Sequence, residues 1–164
     1  MTTTLFTNAH IATGEPGSTA ASTLPLQDIL VTDGVFTAFG PGLAQQYEAQ
    51  GGDLAAIEVV DLGGKLVCPP FCDTHLHLDY VFTARKPGAV NESGTLFEGI
   101  QRWSETKSDL TVDEIKQRAK IGIKKEMLHG VQLIRSHADV TDPNLTSLKA
   151  LLELKEELKD TVTL

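Results

Sequence analysis

The chain has 164 residues, 41% of them hydrophobic, which is enough for an ordinary folded domain with a real core. Its 22 acidic and 14 basic side chains give a net charge of −8, which argues against nucleic acid or a membrane as a partner, because both attract clustered Lys and Arg. It has neither a signal-like amino terminus nor a run of about 20 apolar residues. We therefore expect a soluble cytoplasmic protein.

Residues 1–67 have the composition of a β-rich layer and form the first predicted domain. The Asp33-Gly34 pair between two β-prone segments predicts a tight hairpin. A Gly, Pro, Ser and Thr-rich loop is expected at 13–24, and a short helix at 43–49. The predicted strands cover 4–11, 28–32, 35–39, 57–62 and 65–67.

Beyond Pro69-Pro70 the pattern changes, and residues 68–164 form the second predicted domain. Thr111 and Glu114 have the spacing of a capping box, and Gly130 marks the end of the helix that follows. The apolar face of that helix is predicted at Ile115, Ala119, Ile123 and Met127.

A strand is predicted at 131–140, and Asp142-Pro143 is typical of a helix start. Another strand opens at residue 161. The apolar stripe of the intervening helix is expected at Leu145, Leu148, Leu152 and Leu158.

Alternating strands and helices predict an α/β fold with a parallel sheet and right-handed crossovers. Each strand-plus-helix unit takes about 30 residues, so only about three strands fit after Pro69. A barrel of eight such units needs roughly 250 residues.

Two histidines separated by one residue, His75 and His77, indicate a metal site. Side chains alternate faces along a strand, so both imidazoles point the same way, with Asp73 and Asp79 on the same face. Imidazole is the commonest protein ligand of divalent transition metals. The alternative is two histidines with a chance spacing.

A second polar group lies on one face of the next predicted strand, with Arg135, His137 and Asp139 toward its carboxyl end. In parallel α/β folds that end of the strands carries the functional residues. His137 and Asp139 are therefore candidates for orienting the metal ligands by hydrogen bonds. A structural ion pair between Arg135 and Asp139 is the alternative.

Several segments resemble one family. Asp73-Thr74-His75-Leu76-His77, the block Ser93-Gly94-Thr95-Leu96-Phe97-Glu98-Gly99-Ile100-Gln101-Arg102-Trp103, and Arg135-Ser136-His137-Ala138-Asp139 are similar to the amidohydrolase superfamily, and most of all to the bacterial cytosine deaminases. The resemblance spans essentially the whole chain.

The resemblance implies a β-sandwich portion followed by the first βα units of a (β/α)8 TIM-type barrel. In that family His75 and His77 would be two ligands of one divalent metal, Fe²⁺ or Zn²⁺, and Leu96 would lie near the pyrimidine. The implied reaction converts cytosine and water to uracil and ammonia. The implied partners are a small-molecule substrate and, for the complete enzyme, further copies in a homo-oligomer.

Other functional positions of that family have no match in this sequence. The third histidine ligand, the metal-bound Asp and the proton-shuttling Glu lie downstream, so no catalytic residue is identified within this chain. We therefore expect an incomplete barrel, with its remainder on another chain or missing, and expect the isolated chain to be inactive.

Two alternatives remain open. An amidohydrolase acting on isoguanine, creatinine or an N-substituted triazine would use the same half-site. A non-catalytic α/β binding module could instead recruit a partner through an open sheet edge.

Overall fold

The computed structural model describes residues 2–12 and 24–164, except for the side chain of Arg85. The chain forms two compact units, Met1–Pro69 and Pro70–Leu164. The predicted loop at 13–24 lies outside the described residues apart from residue 24.

The first unit is a five-stranded sheet with a short helix. Strand order is β3-β2-β1-β4, and β5 also pairs with β1. The strands are β1 (Thr3–Ile11), β2 (Leu26–Thr32), β3 (Val35–Gly40), β4 (Glu58–Asp61) and β5 (Leu66–Val67), and the helix is α1 (Leu43–Ala49).

The predicted hairpin joins β2 to β3. Asp33 and Gly34 both have positive φ, 48° and 78°, the conformation that a two-residue turn between twisted strands requires. By contrast, β4 and β5 do not pair with each other across Gly63-Gly64, because both run parallel to β1.

The second unit is built on parallel strands. β6 (Phe71–Leu76) pairs with β7 (Val131–Ser136), and Thr163 continues the sheet through a parallel bridge to Leu133. Helices α2 (Leu96–Lys107) and α3 (Val112–Leu128) connect β6 to β7, and α4 (Thr146–Glu157) follows β7. The predicted alternation of strand and helix is confirmed.

Two buried apolar clusters lie in the second unit. The larger consists of Leu78, Ala119, Ile123, Ile134, Leu151, Leu154 and Val162, and the smaller of Leu110, Ile115 and Ala150. The predicted start of α3 is confirmed, since the Thr111 hydroxyl accepts a hydrogen bond from the N–H of Glu114. The Glu114 carboxylate, however, faces Lys86 and Arg118.

Two sequence predictions need correction. β7 ends at Ser136 and not at residue 140, so His137 and Asp139 follow the strand. α4 begins at Thr146, because the Asp142 carboxylate accepts hydrogen bonds from the N–H groups of Asn144 and Thr146 and forms a turn before the helix.

The buried face of α4 also differs from the predicted stripe. Ser147, Ala150, Leu151 and Leu154 are buried, whereas Leu152 is 55% exposed. The four leucines of this helix span a broad arc, so they do not alone select the buried face. Ala150 packs with Leu110 and Ile115. Among the described residues, no helix is long and apolar enough to cross a membrane.

Candidate metal centre

Three imidazoles meet where β6 and β7 end. His75, His77 and His137 each offer a ring nitrogen, and these nitrogens lie within 4.8 Å of one another. The ring centroids of His75 and His137 are 4.3 Å apart in a stacked arrangement. The centroid of His77 lies 5.4 Å from that of His75 and 5.2 Å from that of His137.

The register of the parallel strands produces this meeting. Leu76 pairs with Ser136, and the N–H of His137 donates to the carbonyl oxygen of Leu76 over 2.7 Å. The carboxyl ends of adjacent parallel strands lie at the same edge, so residues just beyond them converge.

The ring of His137 lies as close to His75 and His77 as those two rings lie to each other. From the sequence it was expected only to orient the ligands. The sequence signal for this proximity was that His137, like His77, directly follows a strand of the parallel sheet. Asp73 accepts a hydrogen bond from the N–H of His75 over 2.9 Å and stands outside the group of three.

The three imidazoles fit a divalent transition metal. Nitrogens that are each about 2.1 Å from one ion lie roughly 3–4 Å apart, so a span of 4.8 Å needs only small side-chain rotations. Nδ1 of His77 and Nδ1 of His137 are buried without a hydrogen-bond partner among the described residues. Nitrogen donors of this type suit zinc and iron.

Two acidic residues lie behind the cluster. Asp79 is completely buried, and its Oδ2 accepts a hydrogen bond from the N–H of Asp139 over 2.8 Å. Its Oδ1 lies 3.9 Å from His77 Nδ1. Arg118 donates to the carbonyl oxygens of Asp79 and Val81, both at 3.0 Å.

Asp139 connects the end of β7 to helix α2. Its carboxylate accepts hydrogen bonds from Trp103 Nε1, from Lys107 Nζ at 3.2 Å, and from the hydroxyl and N–H of Thr141. Burial alone would raise the pKa of Asp139, but these donors outweigh it and hold that pKa well below its ordinary value. The cation paired with Asp139 is thus Lys107, while Arg135 is exposed.

Helix α2 lies between two cavities. Leu96, which is 75% exposed, lines one of about 300 Å³. His77 and Asp139 line the other, of about 400 Å³. Tyr80, Ile100 and Trp103 line both, so Leu96, the predicted substrate-binding residue, and His77 line neighbouring cavities.

The loop before α2 is held by Glu98. The N–H groups of Glu92 and Ser93 donate to its two carboxylate oxygens at 3.1 and 2.7 Å. Hydrogen bonds from Ser93, followed by that from Glu92, lower the pKa of Glu98 to about 2. Thr95 caps the helix by accepting from the N–H of Glu98, which fixes the position of Leu96.

Parallel β/α units with imidazoles gathered at the carboxyl ends of adjacent strands define a class of α/β proteins suited to binding a catalytic metal. The amidohydrolase family model matches residues 58–153, and the chain belongs to that family. Its fold is a β-layer followed by the opening units of the (β/α)8 barrel, as the sequence predicted.

Individual relatives have several different substrates in their names. The solved 5-methylcytosine deaminase of Klebsiella pneumoniae is 37% identical with a TM-score of 0.76, over 96% of this chain and 34% of its own. The N-isopropylammelide isopropyl amidohydrolase of Pseudomonas sp. strain ADP is 35% identical over 107 residues, 63% of this chain and 27% of that enzyme. The pterin deaminase of Rhizobium rhizogenes is 26% identical over 141 residues, 84% of this chain and 30% of that enzyme. The chain thus spans about a third or less of the length of each.

Proposed function

We propose that this chain supplies the metal-binding opening of a hydrolytic deaminase that acts on a cytosine-like cyclic amidine, releasing uracil and ammonia from cytosine and water. The main support is the convergence of His75, His77 and His137 within 4.8 Å, beside the cavities that flank α2. The similarity to a 5-methylcytosine deaminase that was solved with 5-fluorocytosine supports the choice of substrate.

In this proposal His75 and His77 bind one divalent ion, Fe²⁺ or Zn²⁺. Such an ion supplies a Lewis acid that activates water for attack at the ring carbon bearing the amino group. His137 and Asp139 position the surrounding groups, and Leu96 contacts the substrate ring.

Aromatic side chains would keep bulk water away from the reacting groups. Tyr80 stacks on His77 with ring centroids 4.7 Å apart, and Trp103 packs against Tyr80 at 5.1 Å. Burial, with a smaller contribution from the charge of Asp79, raises the pKa of Tyr80. Its phenol is therefore neutral at pH 7 and can serve as a hydrogen-bond donor at the edge of the site.

A second candidate substrate is an N-substituted triazine. The 35% identity to the N-isopropylammelide enzyme favours it, and a triazine, like a pyrimidine, is a planar six-membered ring with ring nitrogens. The histidine cluster would serve either ring equally, because the metal acts at the carbon that loses the amine.

The test is ammonia release from cytosine and 5-methylcytosine, compared with isopropylamine release from N-isopropylammelide, by the metal-loaded protein that contains this chain. Turnover of a cytosine that His77→Ala abolishes would support the proposal. Preference for the triazine would shift it to the second candidate. A stable, metal-free protein without turnover would favour the binding module.

A further inference from the structure

Asp79 is an unusual residue within the part of the chain that the structure describes. It is 0% exposed, whereas every other described acidic or basic side chain retains some exposure. A carboxylate is buried at a high free-energy cost unless its oxygens find donors. The groups that face the two carboxylate oxygens of Asp79 therefore indicate the role of this residue.

The two carboxylate oxygens of Asp79 have different surroundings. Oδ2 accepts the hydrogen bond from the N–H of Asp139 at 2.8 Å. Oδ1 has no partner among the described residues, and it faces His77 Nδ1 at 3.9 Å. That nitrogen is also buried and also has no described partner.

We infer that Asp79 is a positioning residue for the metal centre: its Oδ1 accepts a hydrogen bond from the Nδ1–H of His77. A carboxylate can only accept, so the imidazole must bear its proton on Nδ1, and its Nε2 is left free for the metal. This inference rests on the proposed metal centre.

The geometry favours closing this contact. The 3.9 Å separation exceeds a hydrogen bond, but a modest rotation of the ring would shorten it and satisfy two buried atoms at once. The backbone N–H of Asp139 fixes the carboxylate from the other side. Arg118, bound to the carbonyl oxygens of Asp79 and Val81, supplies a positive charge that offsets its burial.

A purely structural role for Asp79 makes a different prediction. In that case the carboxylate would only anchor the loop at Asp139, and an amide could replace it. Asp79→Asn separates the two roles, since its carbonyl oxygen can still accept from Asp139 while its NH₂ group cannot accept from His77.

The first measurement is the tautomer of His77 in the metal-free protein, from long-range ¹H–¹⁵N NMR spectra. We expect the Nδ1–H form in the unsubstituted protein and a shift toward Nε2–H in Asp79→Asn. His129, whose Nδ1 lies 2.7 Å from the Lys125 carbonyl oxygen, is an internal reference that must stay in the Nδ1–H form. An Nε2–H tautomer of His77 in the unsubstituted protein would overturn the inference even if the variant fails to fold.

The second measurement is Co²⁺ affinity, followed by visible absorption. We expect Asp79→Asn to weaken binding about 10–100-fold. The matched control is Asp28→Asn, a buried carboxylate in the first unit that accepts from the N–H groups of Asn8 and Leu43, and it should leave Co²⁺ affinity unchanged.

The outcomes test the role of Asp79 separately from the proposed metal centre. If the unsubstituted protein fails to bind Co²⁺, the proposed metal centre is overturned. If it binds Co²⁺ and Asp79→Asn binds equally well, only the role of Asp79 is overturned.

Discussion

His75 lies in β6, and His77 follows directly after the strand ends at Leu76. Both imidazoles lie at the edge of the sheet, with ring centroids 5.4 Å apart. His137 joins them because β7 ends at the same level. Three imidazole rings lie close together, and two of them have buried nitrogens without a described partner, so the polar atoms of this site need a ligand.

Replacing His75 or His77 with Ala should abolish metal retention. Each substitution removes one of the two ligands that the proposal assigns to this chain, and the loss should exceed the roughly 10–100-fold typical of residues that only orient ligands. Elemental analysis of the purified protein measures it. His129→Ala, at the exposed end of α3, is the matched control, and unchanged metal content in either variant would remove that residue from the ligand set.

His137→Ala should lower turnover about 10–100-fold while most of the metal stays bound. The family resemblance assigns the third histidine ligand to a position downstream of this chain, so His137 is expected to support the other two rings by stacking on His75. Metal content and kcat measured on one preparation show whether His137 is a ligand or a supporting residue. Complete loss of metal would make His137 a ligand, and full activity would leave it a packing residue.

At the residue scale, the sequence predicted features that depend only on residues close together in the chain. The spacing of His75 and His77 predicted that their imidazoles lie together, although His77 follows the end of β6 and does not share a strand face with His75. The complete burial of Asp79 was not predictable, because it depends on packing beneath Arg118 and the end of β7. The pairing of Asp139 with Trp103 and Lys107 likewise requires knowing where α2 lies.

At the scale of elements, the loop before α2 depends on one ionised side chain. Glu98 in its folded state has a pKa of about 2, below its ordinary 4.5. A depressed pKa means that its contribution to stability is fully present above about pH 5 and is lost as the pH falls toward 2.

Glu98→Gln should therefore lower Tm at pH 7, since an amide has one acceptor oxygen for two N–H donors. The difference in Tm between the two proteins should shrink from pH 5 to pH 2. Thermal unfolding at several pH values measures this, with Glu105→Gln, an exposed residue of the same helix, as the control. A difference in Tm that is independent of pH would contradict it.

Turns were easier to predict than helix ends. Asp33-Gly34 specifies its hairpin alone, because both residues adopt positive φ at low cost. Asp142-Pro143 has the sequence of a helix start, yet the Asp142 carboxylate bonds to Asn144 and Thr146 and delays α4 to Thr146. Leu145 adopts a φ of 51°, which a continuous helix excludes, so the helix cannot run on from Pro143.

At the scale of the whole molecule, the helices of the second unit expose apolar side chains. Leu128 is 74% exposed, and Ile121 and Leu152 are more than half exposed. Beyond β7, the described sheet continues only as the single bridge at Thr163. Apolar helix faces and an open parallel edge of this kind promote association.

Residues 1–164 expressed on their own should be poorly soluble and inactive on cytosine. A few parallel strands cannot close a barrel, and the proton transfers of deamination need a positioned acid or base. Of the described carboxylates behind the cluster, Asp79 accepts a backbone N–H with Oδ2 and faces His77 with Oδ1, and Asp139 is bound by several donors. Co-expression with the remaining barrel segments should restore both solubility and turnover.

The measurement is ammonia release from cytosine by residues 1–164 after metal loading, with His77→Ala prepared in parallel to account for contaminating host enzyme. Turnover at the level of that control is the expected result. Clear turnover above it would mean that His137 or Asp139 completes a catalytic site within these residues, since these are the polar groups that the end of β7 brings to the His-x-His pair.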